Sequence, residues 1–297
     1  MAGQIPVIDL EDFPRESEKL REACEKWGCC RIINHGVPPT LMSEMKTLVG
    51  SLLDLPVEIK RRNTDAVAGS GYMARSEVNP LYEALGLYDV GSAEAVDTFC
   101  SQLEAFPHQR KTIELYAEAI YKLTMNIGRK LAMSYGVAGD VFNGWNCQFR
   151  INKYSFTQET IGSSGVQIHT DSGFLTILQD DENVSGLEVM DQSGSFIAID
   201  PWPGTLVLNL GDIATVWSNG RLHTVKHRVQ CREATTRLSI ATFLAPPKDM
   251  LLEAPPEFVD SQHPRLYAPF TYEHFRNLRS AGKLHAGEAL ELLRCKN

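Results

Sequence analysis

Three side chains in this sequence, His169, Asp171 and His227, have the types and spacing to hold a divalent metal with coordination sites to spare. His169 and Asp171 close an extended stretch just before Ser172-Gly173. In a strand, residues two apart face the same side, so an imidazole and a carboxylate can converge on one point. Alone, the pair reads first as a strand-end histidine followed by a turn-capping aspartate. His227, 56 residues beyond Asp171 on another extended stretch, supplies the third donor. Two imidazoles and one carboxylate make the facial triad that leaves three adjacent positions open on Fe(II). A 2-oxoacid can take two of them and dioxygen the third. His223, four residues before His227, reads as a surface strand residue, because a strand sets i and i+4 well apart.

A second group lies ten residues past His227. Arg237 and Ser239 share one strand face and present a guanidinium fork and a hydroxyl suited to a carboxylate. Leu238, Ile240 and Phe243 make the surroundings apolar, so the cation needs an anionic partner. The stretch 149–154 places Arg150, Asn152 and Tyr154 on one face by the same period of two, and Tyr154 can donate to the carboxylate that Arg237 binds.

These side chains require a β scaffold. After Trp145 come eight short extended runs separated by turn residues, at 148–156, 166–169, 174–179, 186–190, 196–199, 205–210, 224–230 and 237–243. Their close spacing predicts an antiparallel sandwich or jelly roll. The first half is mostly helical. A strand at 5–9 precedes a helix at 16–27 stopped by Gly28, an extended run at 30–33, and a helix from Pro38-Pro39 toward Lys60. Apolar Ile113, Tyr116, Ile120, Leu123, Ile127 and Leu131 recur at steps of three and four and predict a long helix over 109–135. Late helices are expected at 271–279 and 287–293. The expected architecture is mainly β with flanking helices: one domain over 1–297, with a helical part at 1–145, a jelly-roll core at 146–245 and a helical cover at 246–297.

Composition narrows the partners. With 29 basic and 37 acidic residues the net charge is −8, and no basic face is present, which argues against nucleic acid or an anionic membrane. The run Lys60-Arg61-Arg62 reads as a solvated helix end. No signal peptide is readable at the N-terminus, and the longest apolar tract, 205–217, is interrupted by Asn209 and Asp212. Seven cysteines without paired spacing suggest neither a disulfide framework nor a zinc ribbon. A reducing, cytoplasmic setting is expected.

Several stretches together carry a resemblance: Ile5-Pro6-Val7-Ile8-Asp9-Leu10, Ile33-Asn34-His35-Gly36-Val37, Asn152-Lys153-Tyr154, His169-Thr170-Asp171-Ser172-Gly173, Asn209-Leu210-Gly211-Asp212, His227-Arg228-Val229 and Arg237-Leu238-Ser239. Over nearly its whole length the chain resembles the plant 2-oxoglutarate and Fe(II)-dependent dioxygenases. The resemblance implies a double-stranded β-helix (jelly-roll) core and iron held by His169, Asp171 and His227. It also implies 2-oxoglutarate held by Arg237, Ser239 and Tyr154 at its far carboxylate, with Asn152 near its chelating end, and O2 as oxidant with ascorbate as reductant. Phe196 stands where relatives often carry Trp.

Within that family Asn79-Pro80-Leu81-Tyr82-Glu83, Gly86-Leu87-Tyr88-Asp89 and Leu284-His285-Ala286-Gly287-Glu288 resemble the auxin-oxidising members. This implies oxidation of indole-3-acetic acid to 2-oxindole-3-acetic acid. Such a substrate needs a slot for a flat ring and a cation for its carboxylate. Arg150 is the expected counter-ion and Phe243 the expected wall, with Tyr72, Tyr82 and Phe156 as further candidates. Three alternatives stay open from the residues: the same chemistry on a gibberellin or flavonoid precursor, a non-catalytic jelly-roll binding module, and a zinc hydrolase. The last two leave Arg237 and Ser239 without a purpose.

Overall fold

The computed structural model describes residues 4–13, 15–67 and 69–295. The first half runs β1 (Val7–Asp9), α1 (Ser17–Lys26), β2 (Cys29–Ile33), α2 (Pro39–Leu53), α3 (Val57–Lys60), β3 (Tyr82–Leu87), α4 (Ala93–Gln102) and α5 (Pro107–Ser134). The eight extended runs expected after Trp145 all form strands: β4 (Asn146–Ser155), β5 (Ser164–His169), β6 (Leu175–Gln179), β7 (Leu187–Met190), β8 (Phe196–Ala198), β9 (Leu206–Leu210), β10 (His227–Gln230) and β11 (Thr236–Ala245). Helix α6 (Asp212–Trp217) sits between β9 and β10, and β12 (Leu251–Leu252), β13 (Phe270–Thr271), α7 (Tyr272–Gly282) and α8 (Glu288–Glu291) follow.

The strands form two main sheets, ordered β1-β2-β9-β6-β11-β4-β3 and β5-β10-β7-β8, which face each other as a jelly roll. All their pairings are antiparallel except β1 with β2. Helices α2 and α5 pack on the outer face of the larger sheet, against β4, β6 and β11. Those strands are therefore covered on one face by helices and line a cavity on the other. The expected period along α5 is borne out, since Ile113, Tyr116, Ile120, Leu123, Ile127 and Leu131, which carry it, are all buried. Among the described residues no helix is long and apolar enough to cross a membrane.

Three sequence expectations need correction. The part before residue 146 adds a strand that was not expected, β3, which with the expected β1 and β2 joins the larger sheet. The helix expected to run to Lys60 breaks after Leu53, and Pro56 starts the separate α3. Proline lacks the N–H that would continue the ladder, and its ring disfavours helical geometry in the residue before it. Lys60 is no solvated end. It is 7% exposed, its Nζ donates to Leu53 O at 2.9 Å and to Glu83 at 2.5 Å, and Tyr72 donates to the same Glu83 oxygen.

The loop before β3 is set tightly onto the sheet. A Cβ at Gly86 would lie 1.9 Å from Ser70 O, so only glycine lets the loop backbone approach this closely. Asn63 fixes the contact by bonding both Gly86 N and Gly86 O, at 2.9 and 2.8 Å. This brings Gly69 O over β4, within reach of Arg150.

Candidate active site

His169 ends β5 and His227 begins β10, and the two residues are direct cross-strand partners. Asp171 follows in the turn after β5. The three ligand atoms all lie within 4.8 Å of one another, with Asp171 Oδ1 3.9 Å from His169 Nε2 and 3.8 Å from His227 Nε2. Among the described residues no other three His, Cys, Asp or Glu side chains converge in this way.

The surroundings prepare each donor atom. His169 Nδ1 lies 2.9 Å from Gln167 O and His227 Nδ1 lies 3.2 Å from Val225 O. A carbonyl oxygen only accepts, so each Nδ1 carries the proton and each Nε2 keeps its lone pair. Burial first, then His227, pulls His169 down to about 4, which keeps the imidazole neutral. Asp171 Oδ2 accepts from Thr176 Oγ1 at 2.5 Å and Asn209 Nδ2 at 2.7 Å, leaving Oδ1 turned toward the histidines. Burial opposes the Asp171 carboxylate, but His227, His169 and these two hydrogen bonds bring its pKa below the ordinary value. Two imidazoles and one carboxylate facing a cavity fit a divalent iron with open positions.

Arg237 is 1% exposed. Its Nη2 pairs with Asp180, its Cζ lies 5.0 Å from the centre of the Tyr154 ring, and its Nε and Nη1 find no partner among the described residues. Buried donors are almost always paired, so two orphaned N–H groups on one guanidinium mark the place of an absent acceptor. Register places Tyr154 opposite Arg237 and Asn152 opposite Ser239. Asn152 Oδ1 accepts from Tyr82 at 2.8 Å and its Nδ2 donates to Ser239 Oγ at 3.2 Å, so one amide hydrogen remains for a ligand. Burial pushes the Tyr154 hydroxyl well above its ordinary pKa, so it stays a neutral donor. This set fits the far carboxylate of a short dicarboxylic acid.

Both groups open into one cavity of about 550 Å3 between the sheets. Leu178 and Val207 wall it from the larger sheet, and Leu187, Val189 and Val229 from the smaller. Arg150, two residues from Asn152 on β4, also lines it. Its Nη2 donates to Gly69 O, while its Nη1 is buried without a partner among the described residues. Phe243 and Tyr82 line the same space.

Comparison with known proteins agrees with this geometry. The chain is 51% identical over 296 residues to the 2-oxoglutarate-dependent dioxygenase DAO of Oryza sativa subsp. indica, covering 98% of this chain and 99% of that one. It belongs to the 2-oxoglutarate and Fe(II)-dependent oxygenases. The model of the 2OG-Fe(II) oxygenase superfamily matches residues 145–246, and that of the non-haem dioxygenase N-terminal region, described from morphine synthesis, matches 5–95. The crystal structure of dioxygenase for auxin oxidation from rice superposes with a TM-score of 0.91 at 50% identity, covering 98% of this chain and 100% of that one. Dioxygenase for auxin oxidation 1 from Arabidopsis thaliana, in its 2-oxoglutarate binary complex, superposes with a TM-score of 0.86 at 60% identity, covering 88% and 100%. Like the family, this dioxygenase uses Fe(II) and 2-oxoglutarate.

Two of the expected site residues of this oxygenase lie outside the cavity. Tyr72 turns its hydroxyl to Glu83 at 2.5 Å, and Phe156 packs against Tyr154 with ring centres 5.9 Å apart. Tyr72 sits on the pre-β3 loop, where the nearest polar group is a buried carboxylate, and Phe156 lies beyond the end of β4 in an apolar cluster. His223 is a loop residue whose N–H donates to Cys24 O, and it takes no part in the triad.

Five residues at the site were not found from the sequence. Thr176 and Asn209 hold Asp171, Asp180 holds Arg237, and Arg279 and His285 line the cavity from the C-terminal part of the chain. Arg279 donates to Thr170 Oγ1 at 3.1 Å, to Thr170 O at 2.7 Å and to the buried Asp212. Thr170 stands between the two ligands of the turn, so α7 braces the metal site directly. Asn209 did leave a signal, as a polar residue in the otherwise apolar stretch of β9.

Proposed function

We propose that this dioxygenase oxidises indole-3-acetic acid to 2-oxindole-3-acetic acid while 2-oxoglutarate becomes succinate and carbon dioxide. The observation that carries it is a pair of incompletely partnered buried guanidiniums, Arg237 and Arg150, lining one largely apolar cavity. Two such cations suit two small acids bound together, a co-substrate and a flat apolar substrate. Relatives named for auxin oxidation, at about half identity over nearly the full chain, give the second acid its identity.

In this reading His169, Asp171 and His227 hold the iron, and Arg237, Ser239 and Tyr154 hold the far carboxylate of 2-oxoglutarate, with Asn152 orienting Ser239 and Tyr82. Iron held by these three residues would supply the activation of O2, with 2-oxoglutarate giving up the electrons as it becomes succinate and carbon dioxide, one oxygen atom going to the substrate and ascorbate serving as reductant. The protein positions the partners and excludes water. Arg150 fixes the substrate carboxylate and Phe243 flanks its ring, while the aliphatic walls keep the reacting volume dry. We also place the protein in the cytoplasm, supported by seven free cysteines, six of them buried.

Iron-loaded protein with 2-oxoglutarate, ascorbate and indole-3-acetic acid should yield succinate and 2-oxindole-3-acetic acid in equal amounts. Succinate without oxidised indole, or turnover only of a competing gibberellin or flavonoid precursor, would remove the auxin assignment. Arg150→Leu should raise KM for indole-3-acetic acid about 10- to 100-fold, the worth of one charge-assisted hydrogen bond. KM for 2-oxoglutarate should stay at its parental value, and a rise in both constants would disqualify Arg150 as the substrate's counter-ion.

A further inference from the structure

Strand β6 ends at Gln179, whose partner on β11 is Ile240. Beyond that rung, Leu238 and Arg237 have no ladder partner on the β6 side. Two successive carboxylates take over. Asp181 Oδ2 accepts from Leu238 N at 2.9 Å, while its Oδ1 holds Lys46 Nζ at 2.9 Å and the backbone N–H groups of Asn183 and Val184 at 3.0 and 3.1 Å. The neighbouring Asp180, whose side chain is 10% exposed, meets Arg237 Nη2. Behind the guanidinium the chain passes at Gly186, where φ is +147° and a Cβ would lie 2.6 Å from Gln230 O and 3.5 Å from Arg237 Nε. Tyr154 covers one face of the group.

We infer that Asp180 is a positioning residue for the co-substrate: by pinning Nη2 of Arg237 it fixes the plane of the guanidinium, whose unpartnered N–H groups then serve the far carboxylate of 2-oxoglutarate. A flexible arginine without this contact has other acceptors to turn toward, and its planar fork recognises a carboxylate only in one orientation. The geometry asks for an acceptor oxygen at this place more than for a charge. Burial pushes the Asp180 carboxyl up from its ordinary range, against the pull of Arg237, which agrees with that emphasis.

The inference rests on Arg237 being the co-substrate's cation, so Arg237→Met is measured beside it. Titration calorimetry of 2-oxoglutarate into anaerobic, iron-loaded protein gives the Kd of each variant. Asp180→Ala should raise that Kd about tenfold or more, as a displaced positioning group does, while iron retention and KM for indole-3-acetic acid stay within about twofold. Asp180→Asn keeps an acceptor oxygen and should bind within about threefold of the parent. Should Asp180→Ala not fold, Asp180→Glu, with the same charge one methylene further out, should show the tenfold loss instead. Parental binding by Asp180→Ala, or by Asp180→Glu if that variant carries the test, overturns the inference. So does Asp180→Asn as weak as Asp180→Ala, or an equal loss of iron and of both substrates. If Arg237→Met still binds 2-oxoglutarate, the co-substrate assignment itself is wrong. If Arg237→Met fails to bind and Asp180→Ala binds normally, only the role of Asp180 falls.

Discussion

Asp171→Ala is expected to leave a folded protein that no longer retains iron and releases no succinate. Two histidines remain, but the carboxylate is the one anionic donor of the triad and the contact through which Thr176 and Asn209 stiffen the site. Partners outside the ligand set commonly change metal affinity about 10- to 100-fold, so removing a ligand should cost more than about 100-fold. The fold also loses something, because the two freed donors are buried and an unpaired buried donor costs about 1–3 kcal/mol. Iron measured with a chelating dye after gel filtration separates these effects, with a thermal melt to show that the chain is folded. Full iron retention with parental turnover would end the triad assignment.

Arg237→Met should abolish co-substrate binding at ordinary concentrations and destabilise the protein as well. Two charge-assisted hydrogen bonds to a carboxylate are worth about 1.5–3 kcal/mol each, which makes a loss of about 100-fold or more in affinity. The stability effect has another origin. With the guanidinium gone, Asp180 is left buried without its partner, and breaking a buried ion pair from one side costs about 3–5 kcal/mol. Arg237→Met combined with Asp180→Asn should therefore recover much of the stability in chemical denaturation and none of the 2-oxoglutarate affinity. A double variant no more stable than Arg237→Met alone would mean that the pair carries little coupling.

Most elements with clear turn boundaries or one polar face were readable in the sequence, although α4, with one buried face, was not expected. The eight strands after Trp145 showed because turn residues bound each of them, and α5 because its outer face is polar. Two elements buried nearly throughout were hidden. All six residues of β3 are buried, so no alternation marks it. Helix α6 is nearly all buried and merges with β9 into one apolar tract that reads as a single element. The triad and the Arg237–Ser239 pair showed because ligands separated by two residues on a strand leave a local pattern. Their supports did not. Asp180 finds Arg237 across 57 residues and Arg279 finds Asp212 across 67, and no local spacing encodes such a meeting. Tyr72 and Phe156 show the converse limit: an aromatic side chain suits a ring-binding slot by type, but only the path of the backbone decides whether it faces the slot.

The grip of Arg279 on the metal turn bears on the order in which the molecule is completed. All three triad residues precede α7 in the chain, as does Asp212, which is fully buried. A chain growing from its N-terminus can pair β5 with β10 and bring the triad together, with Asp212 held by Thr170 and Thr224 but without the Arg279 contacts. The brace arrives with α7, after both main sheets have been synthesised. The brace of Arg279 on the turn between the ligands thus comes only with the closing of the fold around the site. For a protein whose chemistry would oxidise its own side chains in an open cavity, that sequence of events is a safeguard written into the connectivity.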